Sequence, residues 1–171
     1  GEYAPPYPPK NATQGELLCR TVTSGPDYEE NRLSNLLSAL ISTAKERVRI
    51  MTPYFLPPRG LIGALQAASL RGVEVEIILP AKNNLPYVHW AARNIIAELL
   101  NFDISVYYQP PPFCHSKLLL IDDYYTQVGS ANLDSRSLAL NFECTVEVFG
   151  GSPALELGLF FGSFRGLSSK V

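Results

Sequence analysis

Five residues in the second half of the chain have types and spacings suited to phosphoryl transfer: His115, Lys117, Ser130, Asn132 and Glu143. His115 and Lys117 stand two apart, so on a strand they project from one face, with Ser116 on the other. Ser130 and Asn132 share a face by the same rule. A two-residue turn at Asp123-Tyr124 would set His115 opposite Asn132 and Lys117 opposite Ser130, with opposed Cβ atoms about 4.5–5.5 Å apart. One hairpin face would then gather an imidazole, an ammonium, a hydroxyl and a carboxamide. A phosphodiester in the transition state needs such a set: a nucleophile, a positive charge, and neutral donors for the non-bridging oxygens. In this reading Lys117, Ser130 and Asn132 bind the phosphate, and His115 is the nucleophile or its acid partner.

Two carboxylates complete the expectation. Asp122 lies an odd number of residues from both His115 and Lys117, so it faces away and is expected to support the hairpin end, as Asp does in turns. Glu143, in Asn141-Phe142-Glu143, is the group able to orient His115, because a carboxylate on one ring nitrogen leaves the other free to attack. Taken singly, each residue has an ordinary structural explanation: a strand histidine, a solvated strand-edge lysine, a Gly-Ser-x-Asn turn. Their joint spacing is what carries the reading.

The elements that must position these residues follow from hydrophobic period and turn chemistry. Leu17 to Thr23 reads as a strand. A helix follows Ser24-Gly25-Pro26-Asp27, with Glu29 and Glu30 in its first turn and Leu33, Leu36, Leu37, Leu40, Ile41 and Ala44 on one stripe. Val48 to Thr52 is a strand, 53–58 a loop, and 61–71 a helix closed by Gly72. Val73 to Leu79 is a strand, followed by a helix with Val88, Ala91, Ala92, Ile95, Ile96 and Leu99 in register. Strand and helix alternate over this half, which predicts an α/β fold: a central mixed, largely parallel sheet with helices on both faces. Beyond Asp103 the strands 104–108, 117–121, 126–132 and 142–149 come as hairpins. Ser152-Pro153 opens a last helix over 154–164. Its glycines 158, 162 and 166 recur every fourth residue, a pattern that membrane helices use, but the segment is short and charged and is read as packing on its own domain.

At 171 residues, 46% hydrophobic and 18% charged, the chain predicts one domain over 16–171 after a proline-rich linker over 1–15. The start at Gly1 and the run Pro5-Pro6-Tyr7-Pro8-Pro9 read as a cut inside a longer protein. The net charge of -2 and pI near 5.7 provide no basic footprint, so no nucleic-acid partner is expected. Three irregularly spaced cysteines indicate neither a disulfide framework nor a metal site, and no cofactor is called for. No apolar run reaches membrane-spanning length, so the chain is expected to be soluble.

The His-x-Lys-x4-Asp pattern ending at Asp122, followed by Gly129-Ser130-Ala131-Asn132, resembles the phospholipase D superfamily. The run from Asn132-Leu133-Asp134-Ser135-Arg136-Ser137 to Asn141-Phe142-Glu143, with Thr52-Pro53-Tyr54-Phe55, Arg71-Gly72-Val73 and Leu79-Pro80 upstream, is similar to bacterial cardiolipin synthases, in particular their C-terminal half. The resemblance implies a phospholipase D-like half domain in which the histidine attacks phosphorus to form a phosphohistidine. It implies that the lysine and asparagine hold the phosphate. Those roles fall on His115, Lys117 and Asn132, with a histidine-orienting role on Glu143. The implied substrate is a phosphatidylglycerol-like phospholipid, and the implied place is the cytoplasmic face of a bacterial inner membrane, held peripherally.

One motif is half of such a centre. The oxygen leaving phosphorus needs a proton, a general acid contributes about 10²–10⁴-fold, and one imidazole cannot attack and protonate at once. The other histidine, His89, sits at the start of a predicted helix. A second half carrying the same motif, in the full-length chain or in a homodimer mate, is therefore the expected partner. Loops after parallel strands carry ligands in such sheets, which nominates Tyr54, Phe55, His89 and Trp90, with Leu56, Leu85 and Tyr87 beside them, as contacts for acyl chains or a membrane surface. Two other readings compete with the phosphatidyltransferase: a single-motif phosphodiesterase or nuclease that homodimerises, and an inactive half that serves only binding or assembly.

Overall fold

The structure, a computed structural model, describes residues 17–26, 32–82 and 86–171. The expected linker, the helix start at Asp27, Glu29 and Glu30, the loop residue Leu85 and the side chains of Tyr87, Val88 and His89 lie outside the described residues.

The strands are β1 (Leu18–Ser24), β2 (Arg47–Met51), β3 (Phe55–Leu56), β4 (Glu74–Pro80), β5 (Ser105–Gln109), β6 (Leu118–Ile121), β7 (Tyr125–Gly129), β8 (Leu133–Asp134), β9 (Glu143–Phe149) and β10 (Ser169–Lys170). The helices are α1 (Arg32–Thr43), α2 (Arg59–Leu70), α3 (Pro86–Leu100), α4 (Ser135–Ala139) and α5 (Gly151–Leu167). Eight strands form one sheet in the order β1-β9-β7-β6-β2-β4-β5-β10, and β3 pairs with β8 apart from it.

Alternation along the central strands decides which helix covers which face. Ile50, Ile77, Leu119 and Ile121 join the core built with Leu33, Leu37 and Ile41 of α1, Leu61, Ile62 and Leu65 of α2, Ile96 and Leu99 of α3, and Leu138 of α4. Their neighbours Met51, Ile78, Leu118 and Leu120 point the other way, onto Phe161 of α5. Helices thus lie on both faces, as the alternation of elements predicts.

The largely parallel character does not hold. Within the eight-stranded sheet only β2–β4 and β4–β5 are parallel; β1–β9, β9–β7, β7–β6, β6–β2 and β5–β10 are antiparallel. The crossover helices α2 and α3 produce the two parallel joins, and the hairpin-connected second half adds β6, β7 and β9 to the other edge of β2 antiparallel. Four short elements also escaped the periodic reading: β3, β8, β10 and α4, each too brief to repeat a pattern.

α5 packs on its own domain. A Cβ on Gly158 would come within 2.7 Å of the Arg49 guanidinium, so this glycine makes room for the cation, whereas Gly162 and Gly166 face open space. Arg49 reaches from β2 to Asp123 Oδ1 at 3.2 Å. Among the described residues, no helix is long and apolar enough to cross a membrane.

Asp122 ties the β6–β7 hairpin to the rest of the sheet. Its carboxylate accepts backbone N–H groups from Lys45 at 3.1 Å and from Glu46 and Arg47 at 2.9 Å each, at the entry to β2. Its own N–H donates to the Arg47 carbonyl at 2.9 Å. The residue sits in the left-handed region, φ 52°, which Asp tolerates better than most side chains. Burial pushes its pKa up, but the three backbone donors outweigh that and hold it below the usual carboxylate range. The folded-state pKa therefore lies below the unfolded one, so the stabilisation is full above about pH 4 and lost as pH falls through the folded value. Asp122→Ala should cost about 1–3 kcal/mol in chemical denaturation at neutral pH. Asp122→Asn should cost less and should flatten the acid limb of stability against pH.

Candidate active site

β6 begins at Leu118, so His115-Ser116-Lys117 is an extended lead-in rather than part of the ladder, and β7 ends at Gly129, just before Ser130. The pairs run Leu118↔Val128 to Ile121↔Tyr125. That closes the hairpin with three residues, Asp122-Asp123-Tyr124, not two. The expected pairing of His115 with Asn132 and Lys117 with Ser130 is therefore one residue out of register, and all four side chains lie beyond the hydrogen-bonded rungs. The cause is Asp122, whose left-handed backbone and bonds to 45–47 place it in the turn.

Gly129 admits the next strand. A Cβ there would lie 2.5 Å from the Cys144 carbonyl oxygen and 2.6 Å from Thr145 Cα, backbone atoms that have no room to give. β9 comes close enough for Glu143 to stand under the Ser130–Asn132 loop. Its buried carboxylate accepts the Ser130 hydroxyl, the Ser137 hydroxyl at 2.7 Å and the Asn141 carboxamide at 3.2 Å.

This geometry revises two expected roles. The hydrogen bonds of Glu143 go to the loop that carries Asn132, not to His115. Its negative charge acts on Lys117 instead, where it supports the ammonium against burial. Ser130 is likewise engaged: its hydroxyl donates to Glu143 and its oxygen accepts the Cys144 N–H at 3.0 Å, which makes it a strut between loop and strand.

Lys117 and His115 meet directly. The ammonium donates to the His115 carbonyl oxygen at 2.9 Å and lies 3.2 and 3.1 Å from Nδ1 and Nε2. Burial and the adjacent Lys117 charge both lower the His115 pKa, which keeps the imidazole neutral at neutral pH. Burial also lowers that of Lys117, opposed by Glu143 and Cys114. Two rings frame the imidazole: Tyr54 edge-on at 6.2 Å between centroids and Phe113 tilted at 5.9 Å. The Asn132 Oδ1 end is buried with no hydrogen-bond partner. Turning the amide end over end puts the two-donor Nδ2 there, and a partnerless buried polar end is stabilised once a ligand oxygen completes it.

Of the expected loop contacts, Tyr54 stands beside His115, held through a Thr52 hydroxyl that donates to its carbonyl at 3.0 Å. Phe55 is not available to a ligand: it is 2% exposed in the core, because β3 pairs with β8 and turns it inward. Trp90 is 69% exposed on α3. Two open grooves border the segments that enter and leave the hairpin. One, of about 330 Å³, is lined by His115, Lys117, Leu118, Val128, Leu157 and Phe160. The other, of about 350 Å³, is lined by Thr23, Ser24, Ser130, Phe142, Glu143 and Cys144.

Residues 37–157 match the family model described as cardiolipin synthase, PLD-like domain. The chain belongs to this family. It is 36% identical over 169 residues to cardiolipin synthase 2 of Staphylococcus epidermidis, an alignment that covers 99% of this chain and 35% of the relative. It is 38% identical over 147 residues to the major cardiolipin synthase ClsA of Bacillus subtilis, covering 86% and 30%. The chain thus spans about a third of the length of the curated relatives it matches. Among solved structures it superposes on the phospholipase D family member Nuc from Salmonella typhimurium with TM-score 0.77 and 25% identity, covering 91% of this chain and 99% of that one. With phosphatidylserine synthase of Haemophilus influenzae it shares the fold, with TM-score 0.73 and 18% identity over 91% of this chain and 40% of the other.

Three members of this PLD-like site were not singled out from sequence. Ser137, 1% exposed, donates to Glu143 and accepts the Asn132 N–H at 2.9 Å. Asp134 caps α4 by accepting the Ser137 N–H at 2.8 Å. Phe113 packs beside His115. The Asp134-Ser135-Arg136-Ser137 run carried an N-cap signal for a short helix; Phe113 carried none.

Two measurements test the site. In an NMR titration the His115 ring should titrate below the ordinary histidine value, and Lys117→Met should move it upward by removing the cation. Ser137→Ala should leave the Asn132 N–H without its acceptor and lower phosphodiester turnover by about tenfold while His115 titrates as in the wild type, about 1.4 kcal/mol of lost transition-state stabilisation.

Proposed function

We propose that this chain supplies one half-site of a phospholipase D-type phosphatidyltransferase that makes cardiolipin from phosphatidylglycerol. The observation that carries the reading is the contact itself: an imidazole against a lysine ammonium at the entry to the hairpin, while the loop that leaves the hairpin holds an Asn132 carboxamide end buried without a partner. The cardiolipin synthase relatives support the choice of lipid. The lowered pKa of His115 favours attack over proton donation.

In the first step a His115 ring nitrogen attacks phosphorus and forms the N–P bond of a phosphohistidine. The bond to the glycerol oxygen breaks, and that oxygen takes a proton from an acid on the second half. In the second step the hydroxyl of another phosphatidylglycerol attacks phosphorus, its proton passes to the now basic group, and His115 is regenerated with cardiolipin formed and glycerol already released. Lys117 and Asn132 hold the non-bridging oxygens throughout. The second half belongs to the same full-length chain or to a homodimer mate, and the active protein works peripherally on the cytoplasmic face of a bacterial membrane. Exposed Trp90 on α3 is one contact for that surface.

A second reading keeps the chemistry and changes the substrate: a single-motif phosphodiesterase or nuclease built from two copies. The near-complete coverage of Nuc, a chain of matching length, favours it.

Full-length protein given phosphatidylglycerol should yield cardiolipin and glycerol and should form an acid-labile phosphoenzyme on the His115 peptide. His115→Asn should lower the rate by about 10³-fold or more, the scale of losing a nucleophile. DNA cleavage without conversion of phosphatidylglycerol would end the lipid reading.

A further inference from the structure

The two grooves beside the hairpin differ in polarity. One is walled by Thr23, Ser24, Ser130, Glu143 and Cys144, with the exposed Phe142 at its side. The other is lined by His115, Ser116 and Lys117 together with Leu118, Val128, Gly129, Leu157 and Phe160. Leu157 and Phe160 belong to α5, the helix that covers the Met51–Leu118 face. Phe160 packs on Phe164 at 4.7 Å between ring centroids, so its ring is held from behind.

We infer that the α5 groove receives the ester-linked acyl end of the phospholipid, and that Leu157 and Phe160 make the site select lipids over other phosphodiesters. The inference rests on the phosphatidyltransferase reading and names where its substrate lies. A phospholipid joins a single phosphate to a long apolar tail, and this groove combines a single ammonium, Lys117, with the apolar side chains of Leu118, Val128, Leu157 and Phe160. A polynucleotide would need several cations in a row, since its affinity comes from neutralising many phosphates. Lys117 is the one cation among the residues lining the groove, on a chain of net charge -2. On α5, Leu155 and Leu159 are 53% and 78% exposed one turn apart, so the same helix also presents apolar side chains to solvent. Such a surface suits a substrate drawn from a bilayer with its tails still partly embedded.

The test uses full-length protein in mixed micelles with a phosphatidylglycerol that carries a photoreactive group on one acyl chain, with cardiolipin formation measured in parallel. After irradiation the label should lie on the 151–167 peptide. It should fall about tenfold in Phe160→Asn and in the nearly isosteric Val128→Thr, both at partly exposed positions that tolerate the change. Leu70→Ser, at an exposed site on α2, should leave labelling as it is. Label on other segments, label on α5 undiminished in both variants, or displacement of the label by an oligonucleotide would overturn the inference. Label on α5 without any cardiolipin would uphold the groove and overturn the reaction.

Discussion

A buried carboxylate can remain in a protein interior only if donors surround it, and the donors that surround Glu143 come from the segments on either side of Asn132 and from Asn141. Ser130 comes from the end of the β7 strand, Ser137 from the first turn of α4, and Asn141 from the approach to β9. Between the first two lies Asn132, its N–H taken by the same Ser137 hydroxyl. One acceptor therefore gathers three chain segments, and the carboxamide that would meet a phosphate is positioned by a network in which each member depends on the others. The same negative charge supports Lys117 as an ammonium in a half-buried place. Glu143 thus serves the imidazole only at one remove, through the cation beside it.

The opposite end of the hairpin has a matching anchor. Asp122 belongs to the family pattern with His115 and Lys117, yet its carboxylate is spent on three backbone N–H groups at the start of β2. That attachment places the turn and hence the register of β6 against β7. It also accounts for Gly129, since the strand brought alongside leaves no space for a Cβ. Apolar packing from α5 on one face and from α1, α2 and α4 on the other then holds the hairpin, and the α5 groove opens beside it.

Much of this was legible in order along the chain. The helical stripes of α1, α2 and α3 and the strands between them have periods long enough to be counted, and glycine after α2 adopts φ 86° as its cap position demands. Asp122 was separable from the first rank of residues by parity alone. The misplaced features have one origin. Phe55 looked like a loop aromatic because a two-residue strand has no period, and only its pairing with Leu133 turned the ring inward. Ser130 looked like a phosphate donor because its spacing from Asn132 was sound, while the carboxylate that accepts its hydrogen bond stands thirteen residues on.

The sequence by itself determined the chemistry available to this protein: an imidazole, an ammonium and a carboxamide at spacings that converge, in an α/β chain whose halves alternate first by helices and then by hairpins. These are local properties, set by residue type, by period and by the covalent reach of a few residues. The tertiary structure decided which strands run antiparallel, that the hairpin turns on three residues, that Glu143 bonds the Asn132 loop rather than His115, and that Leu157 and Phe160 of α5 share a groove with His115 and Lys117. Each of those depends on a partner distant in the chain, and the choice among partners is made by burial and hydrogen-bond satisfaction across the whole core, which no local spacing encodes.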